Sequence, residues 1–513
     1  MIRAKNSARY FNTYQIKPST YFPAADYRWK KRVPIIFLCN RDSRTTFPRD
    51  RQLNQATANE NPTSQGPSML GTILLNLSQK RAHRYVNTFH AWEVLHRHAD
   101  NPVLLNRIGL FDTARRTGRG GREAELARAR ATLEWTGENP GLERRDFLGR
   151  VSDHERQQYA LALGRLAPQE ASGWLRDSES DIALGLALAE GNAQAAQWHA
   201  AALSPARRDD LKKANNLRAV VAAQHCMAGH YVQARKNLTY ILTNSGIELP
   251  AKNSPMAMDD FLSDFPQQNP AGVADHGLVT VIICAHNAAP FIDKALLSVQ
   301  RQTYQNIEIV AIDDGSTDNT FAHLTAASSN NLRINTLRTE NRGVYAARNI
   351  ALSRSRGRFI TFLDADDIML PRRIEQQLEG LLSGQAQACT SRLLRLTPDG
   401  QLVSPRIYPF IRHNPASLMM RREVYERLGS YEEVRFGADD EYEHRIRLHC
   451  GTDSLRRDAA VHTIALHHPA SLTQAAASGL TSPAGRQARI RYREEWVRRH
   501  LQHGLSRDNP SLS

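Results

Sequence analysis

Apolar positions change their rhythm twice along this chain. From Met69 to about residue 250, Ala, Leu, Arg and Glu dominate and apolar residues recur at helical spacing, which predicts an all-α region. From Leu278 onward the pattern becomes short apolar runs alternating with amphipathic stretches. Leu278 to Cys284, Ile307 to Ile312, Ile334 to Leu337 and Phe359 to Leu363 read as strands. Pro290 to Gln302 and Val344 to Ser353 read as helices between them. Strands alternating with helices at this spacing predict a mostly parallel α/β sheet, with ligands at the carboxyl ends of the strands.

The segments outside these two regions are polar. Residues 1–68 are rich in Arg, Asn, Thr, Ser and Pro without a sustained period, and read as a disordered basic segment. Met69 opens a new character, so it is an alternative natural start. Residues 251–277 are punctuated by Pro, Asn, Asp and Gly and read as a linker. The division is thus 1–68 head, 69–250 helical, 251–277 linker and 278–505 α/β.

Composition narrows the class. Hydrophobic residues are 41% and charged residues 23%, which suits a globular protein. No run of 18 apolar residues and no leader-type apolar segment is present, so the expected location is cytoplasmic. The five cysteines are scattered without a C-x-x-C pair, which disfavours a disulfide framework or a zinc site. The net charge is +15, but residues 1–51 carry +9 of it, leaving +6 for the rest. A nucleic-acid partner needs its basic excess on a folded face, so none is expected. The remainder suits an enzyme handling anionic diphosphates, or one resting peripherally on the inner face of an anionic membrane.

The helical region holds two similar segments, one around Gly191 and one around Gly229. Each reads Gly-x-(Ala/Tyr)-x-x-Ala, which resembles the helix–turn–helix junction of tetratricopeptide-like repeats. A plain helical bundle accounts for the spacing equally well. The partner of this region is not legible.

The chemistry lies just past the strand ends. Ala285-His286-Asn287 comes after the first strand, Asp313-Asp314-Gly315-Ser316 after the second, and Asp364-Ala365-Asp366-Asp367 after the fourth. Carboxylates gathered on one sheet edge repel one another unless a cation sits among them, and oxygen donors favour Mg2+ or Mn2+ over zinc. Each motif alone is ambiguous: Asp-Asp-Gly-Ser suits a turn, and Asp366-Asp367 before Pro371 suits a helix start.

Taken in order, these motifs carry a resemblance. TVIICAHNAAPFIDKALLSVQRQTYQNIEIVAIDDGSTDNT, followed by ENRGVYAARNIALSRSRGRFITFLDADDIMLPRRI, resembles glycosyltransferase family 2 over about 90 residues. The resemblance implies a GT-A fold and an inverting, metal-dependent transfer from a nucleotide-diphosphate sugar, UDP-linked by preference. The acceptor it implies is a glycan or a lipid-linked molecule, in cell-surface polysaccharide synthesis. His286, Asn287, Asp313 and Asp314 would line the nucleotide pocket. Arg348 would approach the nucleotide or its phosphates. Asp364 would lie near the ribose and the metal, and Asp366 would hold the Mn2+ or Mg2+.

Further along, Phe436-Gly437-Ala438-Asp439-Asp440 resembles the segment that supplies the catalytic base. Asp439 stands six residues before Arg445, the family's spacing, with Asp440 as rival. Many members have Glu-Asp here, whereas this chain has Ala438-Asp439. His467-His468 resembles a segment closing over the diphosphate, and His468 would add a metal ligand. Gln487 to Leu501 reads as a basic helix whose Ile490, Trp496, Val497 and Leu501 pack on the enzyme domain or meet a membrane surface.

Two other classes stand against this reading. A dinucleotide-dependent oxidoreductase needs a glycine-rich turn after the first strand, and Cys284 to Ala289 has no glycine. A helical-repeat scaffold carrying an inactive GT-A domain stays open, although such a copy would be free to lose Asp313, Asp364, Asp366 and Asp439.

Overall fold

Apolar runs with helical period assemble first along the chain. The computed structural model describes residues 101–508 except 108, 119, 148, 204–210, 264–272, 472–473, 475–478 and 480–481. The basic head and Met69 lie outside these residues. The helices are α1 (Pro102–Arg107), α2 (Phe111–Arg115), α3 (Arg122–Thr136), α4 (Asp153–Leu163), α5 (Pro168–Ser172), α6 (Ser180–Glu190), α7 (Ala193–Ala202), α8 (Leu211–Met227), α9 (Tyr231–Leu242) and α10 (Met258–Leu262). Two helical hairpins turn at the glycines singled out in the sequence. Gly191 and Gly229 both take positive φ, 77° and 74°, where a side chain would be strained. Asn192 then caps α7 by accepting from the Ala195 N–H at 3.0 Å.

The α/β part comes next. Its strands are β1 (Val279–Ala285), β2 (Ile307–Asp314), β3 (Ile334–Thr339), β4 (Phe359–Asp364), β5 (Ile368–Met369), β6 (Ala388–Leu396), β7 (Leu402–Val403), β8 (Arg412–Arg421) and β9 (Leu455–Leu466). The helices among and after them are α11 (Ile292–Gln300), α12 (Thr320–Asn330), α13 (Val344–Arg354), α14 (Arg373–Leu382), α15 (Arg422–Leu428), α16 (Ala438–Cys450) and α17 (Pro483–Asp508). The sheet order is β3-β2-β1-β4-β8-β6-β9-β5, with β7 on β6. The first four strands are parallel; β8 and β5 run antiparallel to their neighbours. This is the mixed, mostly parallel sheet implied by the family resemblance.

The central strands are Val- and Ile-rich because both faces are covered. Ile292, Leu296, Val299, Leu324 and Leu378 cover one face, while Tyr345, Leu352, Tyr442 and Ile446 cover the other. Register brings the chemistry together: Ala285 pairs with Asp313, and Cys284 with Asp364. The carboxyl ends of β1, β2 and β4 therefore share one edge.

The helical layer is not a separate ball on a tether. Leu184, Ala219, Val220, Leu238 and Phe261 share one apolar cluster with Ile368, Leu370, Leu394, Phe410 and Ile464 of the sheet region. All described residues belong to one compact unit, Pro67–Ser513.

Helix α17 packs on the α/β half, where the Trp496 ring centre lies 5.1 Å from that of His444, and on the helical layer as well. Trp496 and Val497 are buried against Leu105, Leu110, Ala114 and Ala131 of the helical layer. Its polar side grips the enzyme half through Arg493–Asp440 at 3.2 Å and His500–Glu441 at 2.9 Å. Ile490, Trp496 and Val497 are thus buried within the protein. No helix among the described residues is long and apolar enough to cross a membrane.

Candidate active site

Two loops at the ends of β1 and β2 are locked by short polar contacts. Asn287 takes φ 51°, a left-handed conformation that Asn tolerates better than most residues. Its side-chain oxygen accepts from the Thr317 N–H at 2.8 Å, and its own N–H donates to Ser316 Oγ at 2.9 Å. His286 sits beside it, exposed, with Nδ1 2.9 Å from the Asp314 carbonyl and Nε2 3.2 Å from Asn341. Gly315 allows the next loop to approach: a Cβ there would lie 2.7 Å from the Asn341 nitrogen.

The two aspartates ending β2 do different jobs. Asp313 is fully buried; its Oδ1 accepts from the Ser316 N–H at 3.3 Å and its Oδ2 lies 3.1 Å from Arg338 Nε. That ion pair lacks hydrogen-bond geometry, so Oδ2 has no hydrogen-bond donor within the protein. Asp314 accepts from the Arg342 and Gly343 N–H groups at 3.0 and 2.8 Å and from Thr339 at 3.0 Å. It is a bracket for the loop that launches α13 rather than an open acceptor.

Arg348, on α13, ties the centre together. Its Nη2 donates to Asp364 Oδ1 at 3.0 Å and its Nη1 to Asp439 Oδ1 at 2.6 Å. It is buried among Tyr345, Phe362 and Tyr431, with its guanidinium carbon 5.4, 5.2 and 6.0 Å from their ring centres. Burial by itself would weaken the charge, but Asp439 and Asp364 on either side hold it firmly protonated. The sequence motifs place Arg348 in the site but do not show this aromatic box. The available signal was Tyr345, one helical turn before Arg348.

The acidic loop after β4 is electrostatically loaded. Desolvation in the cleft raises Asp364, Arg348 opposes it, and the Asp366 and Asp439 carboxylates push it further up. Desolvation also holds Asp367 well above the carboxylate range, with Asp366 and Asp364 adding to it and Arg395 working against it. Asp367 accepts from the Leu466 N–H at 3.2 Å, which fastens the loop to β9. Asp366 meets His468 Nε2 at 2.9 Å, and His468 packs on Phe291 with ring centres 4.7 Å apart. Burial pushes the Cys284 thiol up to about 12, so it supplies no thiolate here.

The acids opening α16 separate. Asp439 enters the cleft, where desolvation raises its carboxyl despite Arg348 and the Tyr345 hydroxyl. Asp440 lies on the outside, half exposed, paired with Arg493. Arg445 is held by Glu441 at 2.6 Å and does not reach Asp439.

Among the described residues no three His, Cys, Asp or Glu form a ready metal cage. Asp366 and His468 stand together, whereas Asp364 turns to Arg348. A hard cation that takes its remaining ligands from a diphosphate and water fits such a two-donor set.

Residues 280–437 match the sequence model of glycosyl transferase family 2. An uncharacterized glycosyltransferase of Haemophilus influenzae is 43% identical over 100 residues, 19% of this chain and 31% of that relative. A UDP-Glc:alpha-D-GlcNAc-diphosphoundecaprenol beta-1,3-glucosyltransferase of Escherichia coli is 38% identical over 108 residues, 21% of this chain and 42% of that relative. The chondroitin synthase of Pasteurella multocida is 34% identical over 128 residues, 25% of this chain and 13% of the synthase. The chain therefore spans less than half the length of these curated relatives. A solved mannosyltransferase of Pyrobaculum calidifontis with GDP-Man and Mn2+ is 17% identical, covering 58% of this chain and 88% of that one at a TM-score of 0.31, a likeness too slight to weigh. Residues 280–437 of this chain form a glycosyl transferase family 2 domain.

Proposed function

We propose that this protein transfers a sugar from a nucleotide-diphosphate donor, UDP-linked by preference, to a glycan or lipid-linked acceptor, with inversion at the sugar carbon. The observation that carries this is the bridge Asp364–Arg348–Asp439, which sets an acceptor-side carboxylate across one guanidinium from the acidic loop.

In this reading the base and ribose lie over His286, Asn287 and Asp313. Asp313, ion-paired with Arg338 at 3.1 Å, would accept from a base N–H. Asp314 acts on the pocket through the loop it brackets. Asp366 and His468 hold Mg2+ or Mn2+, with Asp364 beside them. When bound, the metal supplies Lewis-acid neutralisation of the departing diphosphate.

Arg348 holds Asp439 by Oδ1 and the Tyr345 hydroxyl also meets its carboxylate, which orients it toward an acceptor. The acceptor oxygen bonds to the anomeric carbon and its proton passes to the Asp439 carboxylate. The bond to the diphosphate oxygen breaks, and the nucleotide diphosphate leaves with the electron pair. A UDP-sugar and a lipid-linked acceptor appear in the name of the Escherichia coli relative, and a polysaccharide product in that of the synthase.

Calorimetry with UDP, GDP and CDP, with and without Mn2+, tests this on wild type and Asp366→Ala. We expect UDP to bind in a Mn2+-dependent way and the variant to lose at least tenfold in affinity. Folded protein that binds none of the three would make a scaffold with an inactive domain the better reading.

A further inference from the structure

Where the helical layer meets the start of β9, an open cavity of about 490 Å3 lies between α8, the end of α9, α14 and β9. Its polar lining follows from local periods. Gln376, Glu379 and Ser383 fall at i, i+3 and i+7 along α14 and just past it, which is one helical face. Arg456 and Asp458 alternate onto one face of β9. Asn215 closes the cavity from α8. The Gln376 amide donates to the Asn244 carbonyl after α9, so the two halves of the molecule are tied along this wall.

The cavity is remote from the transfer cleft. Strand β9 begins with Leu455 in register with Ala388 at the start of β6, and it ends at Leu466, whose N–H fastens Asp367. Asp458 stands eight residues before Leu466, roughly 26 Å away at about 3.3 Å per residue. Donor phosphates held at the acidic loop do not reach it.

An aromatic ring stands at its rim. Tyr240 is 56% exposed and precedes Asn244 by one helical turn. The Arg218 guanidinium carbon lies 3.7 Å from the Tyr240 ring centre, and Arg218 follows Asn215 by three residues on α8. Both helices therefore carry the Tyr240–Arg218 pair from the cavity wall to its edge. Arg218 covers one face of the ring, so a ligand would meet the other.

These groups fit a sugar. A pyranose presents weakly positive C–H groups on its flat side, which suit the negative face of an aromatic ring. Its hydroxyls donate and accept, and the lining offers carboxylate and amide acceptors beside guanidinium and amide donors. Glu379 and Asp458 are matched in charge by Arg456 and Arg218, so the lining gives a polyanion no net attraction.

We propose that this cavity, with Tyr240 at its rim, binds a neutral saccharide segment of the glycan that the transfer cleft acts on. The proposal rests on the reading of the protein as a transferase with a glycan acceptor.

The test is a glycan array probed with the full chain. It carries neutral oligosaccharides of glucose, galactose, mannose and N-acetylglucosamine, with sulfated and uronic-acid glycans beside them. The best binder is then titrated by calorimetry with and without UDP and Mg2+. We expect a neutral oligosaccharide to bind equally in both conditions. Tyr240→Ala and Glu379→Gln should each weaken it at least tenfold, and Tyr240→Phe, which keeps the ring, should stay within threefold. No neutral binder, binding of anionic glycans alone, loss of binding on adding UDP, or affinity indifferent to Tyr240→Ala overturns the site and leaves the donor reading intact. Saccharide binding that depends on Tyr240 in protein that never binds UDP keeps the saccharide site and removes the transferase reading.

Discussion

Asp439 and Asp440 are adjacent in sequence and opposite in circumstance. One shares Arg348 with the acidic loop; the other pairs with Arg493 at the surface. We expect Asp439→Asn to lower kcat by about 10²–10⁴, the usual contribution of a general base, with UDP affinity little changed. Asp440→Asn should stay within twofold of wild type. Steady-state assays of both variants decide this, and an inactive Asp440→Asn beside an active Asp439→Asn would move the base. Because Asp439 must be ionised to act and its carboxyl is raised by desolvation, kcat/KM should climb with pH through a value above the ordinary aspartate pKa of about 3.9. Much of this site was legible residue by residue: Asp313, Asp364, Asp366 and Arg348 lie in motifs with defined spacing. Asp439 is favoured over Asp440 in the sequence by its distance to Arg445, but the contact it makes is with Arg348, 91 residues away, while Arg445 is held by Glu441, and spacing within one helix cannot show that.

Among the elements, the four parallel strands were readable because buried Val- and Ile-rich runs have few alternatives to a covered strand. Helix α12 leaves no apolar period in the sequence, because TFAHLTAASSN is polar and buries only Thr320 and Leu324. Helix α17 was read as a helix, but its placement between two halves of the molecule was invisible. Its Glu494 accepts from the N–H groups of Asp112 and Thr113 at 2.7 and 3.2 Å, so it caps α2 from 381 residues or more away. We expect Trp496→Ala to destabilise the protein by about 3–5 kcal/mol, as for other large-to-small core changes, measured by urea unfolding. A loss under ~1 kcal/mol, the range of surface substitutions, would mean that α17 is not docked as described.

For the whole molecule, the shared core between helical layer and sheet has a direct consequence. A fragment of residues 278–508 would expose Ile368, Leu370, Leu394, Phe410 and Ile464. We expect it to aggregate where the full chain is monodisperse, as read by size-exclusion chromatography. Glu443 links α16 to β8 and β9 through His413 at 2.7 Å and Arg457 at 2.9 Å. Although desolvation opposes it, these partners hold its carboxyl down to about 2. A carboxyl depressed in the folded state contributes stability fully above its unfolded pKa of about 4.3, and loses it as pH falls toward the folded value. Glu443→Gln should therefore be less stable at pH 7 by on the order of 3 kcal/mol, the cost of breaking a buried pair. It should also lose less stability than wild type between pH 5 and 3 in thermal melts.

The amino-acid sequence by itself determined the change from helical to α/β pattern, four strands along the chain and the acids at their ends. Hydrophobic period and turn chemistry act over a few neighbouring residues, so they survive without a structure. Only the tertiary structure decided which acid shares Arg348 and that His468 meets Asp366 across 102 residues. Those contacts depend on strand order and register, which are set by the packing of the whole sheet and leave no local trace.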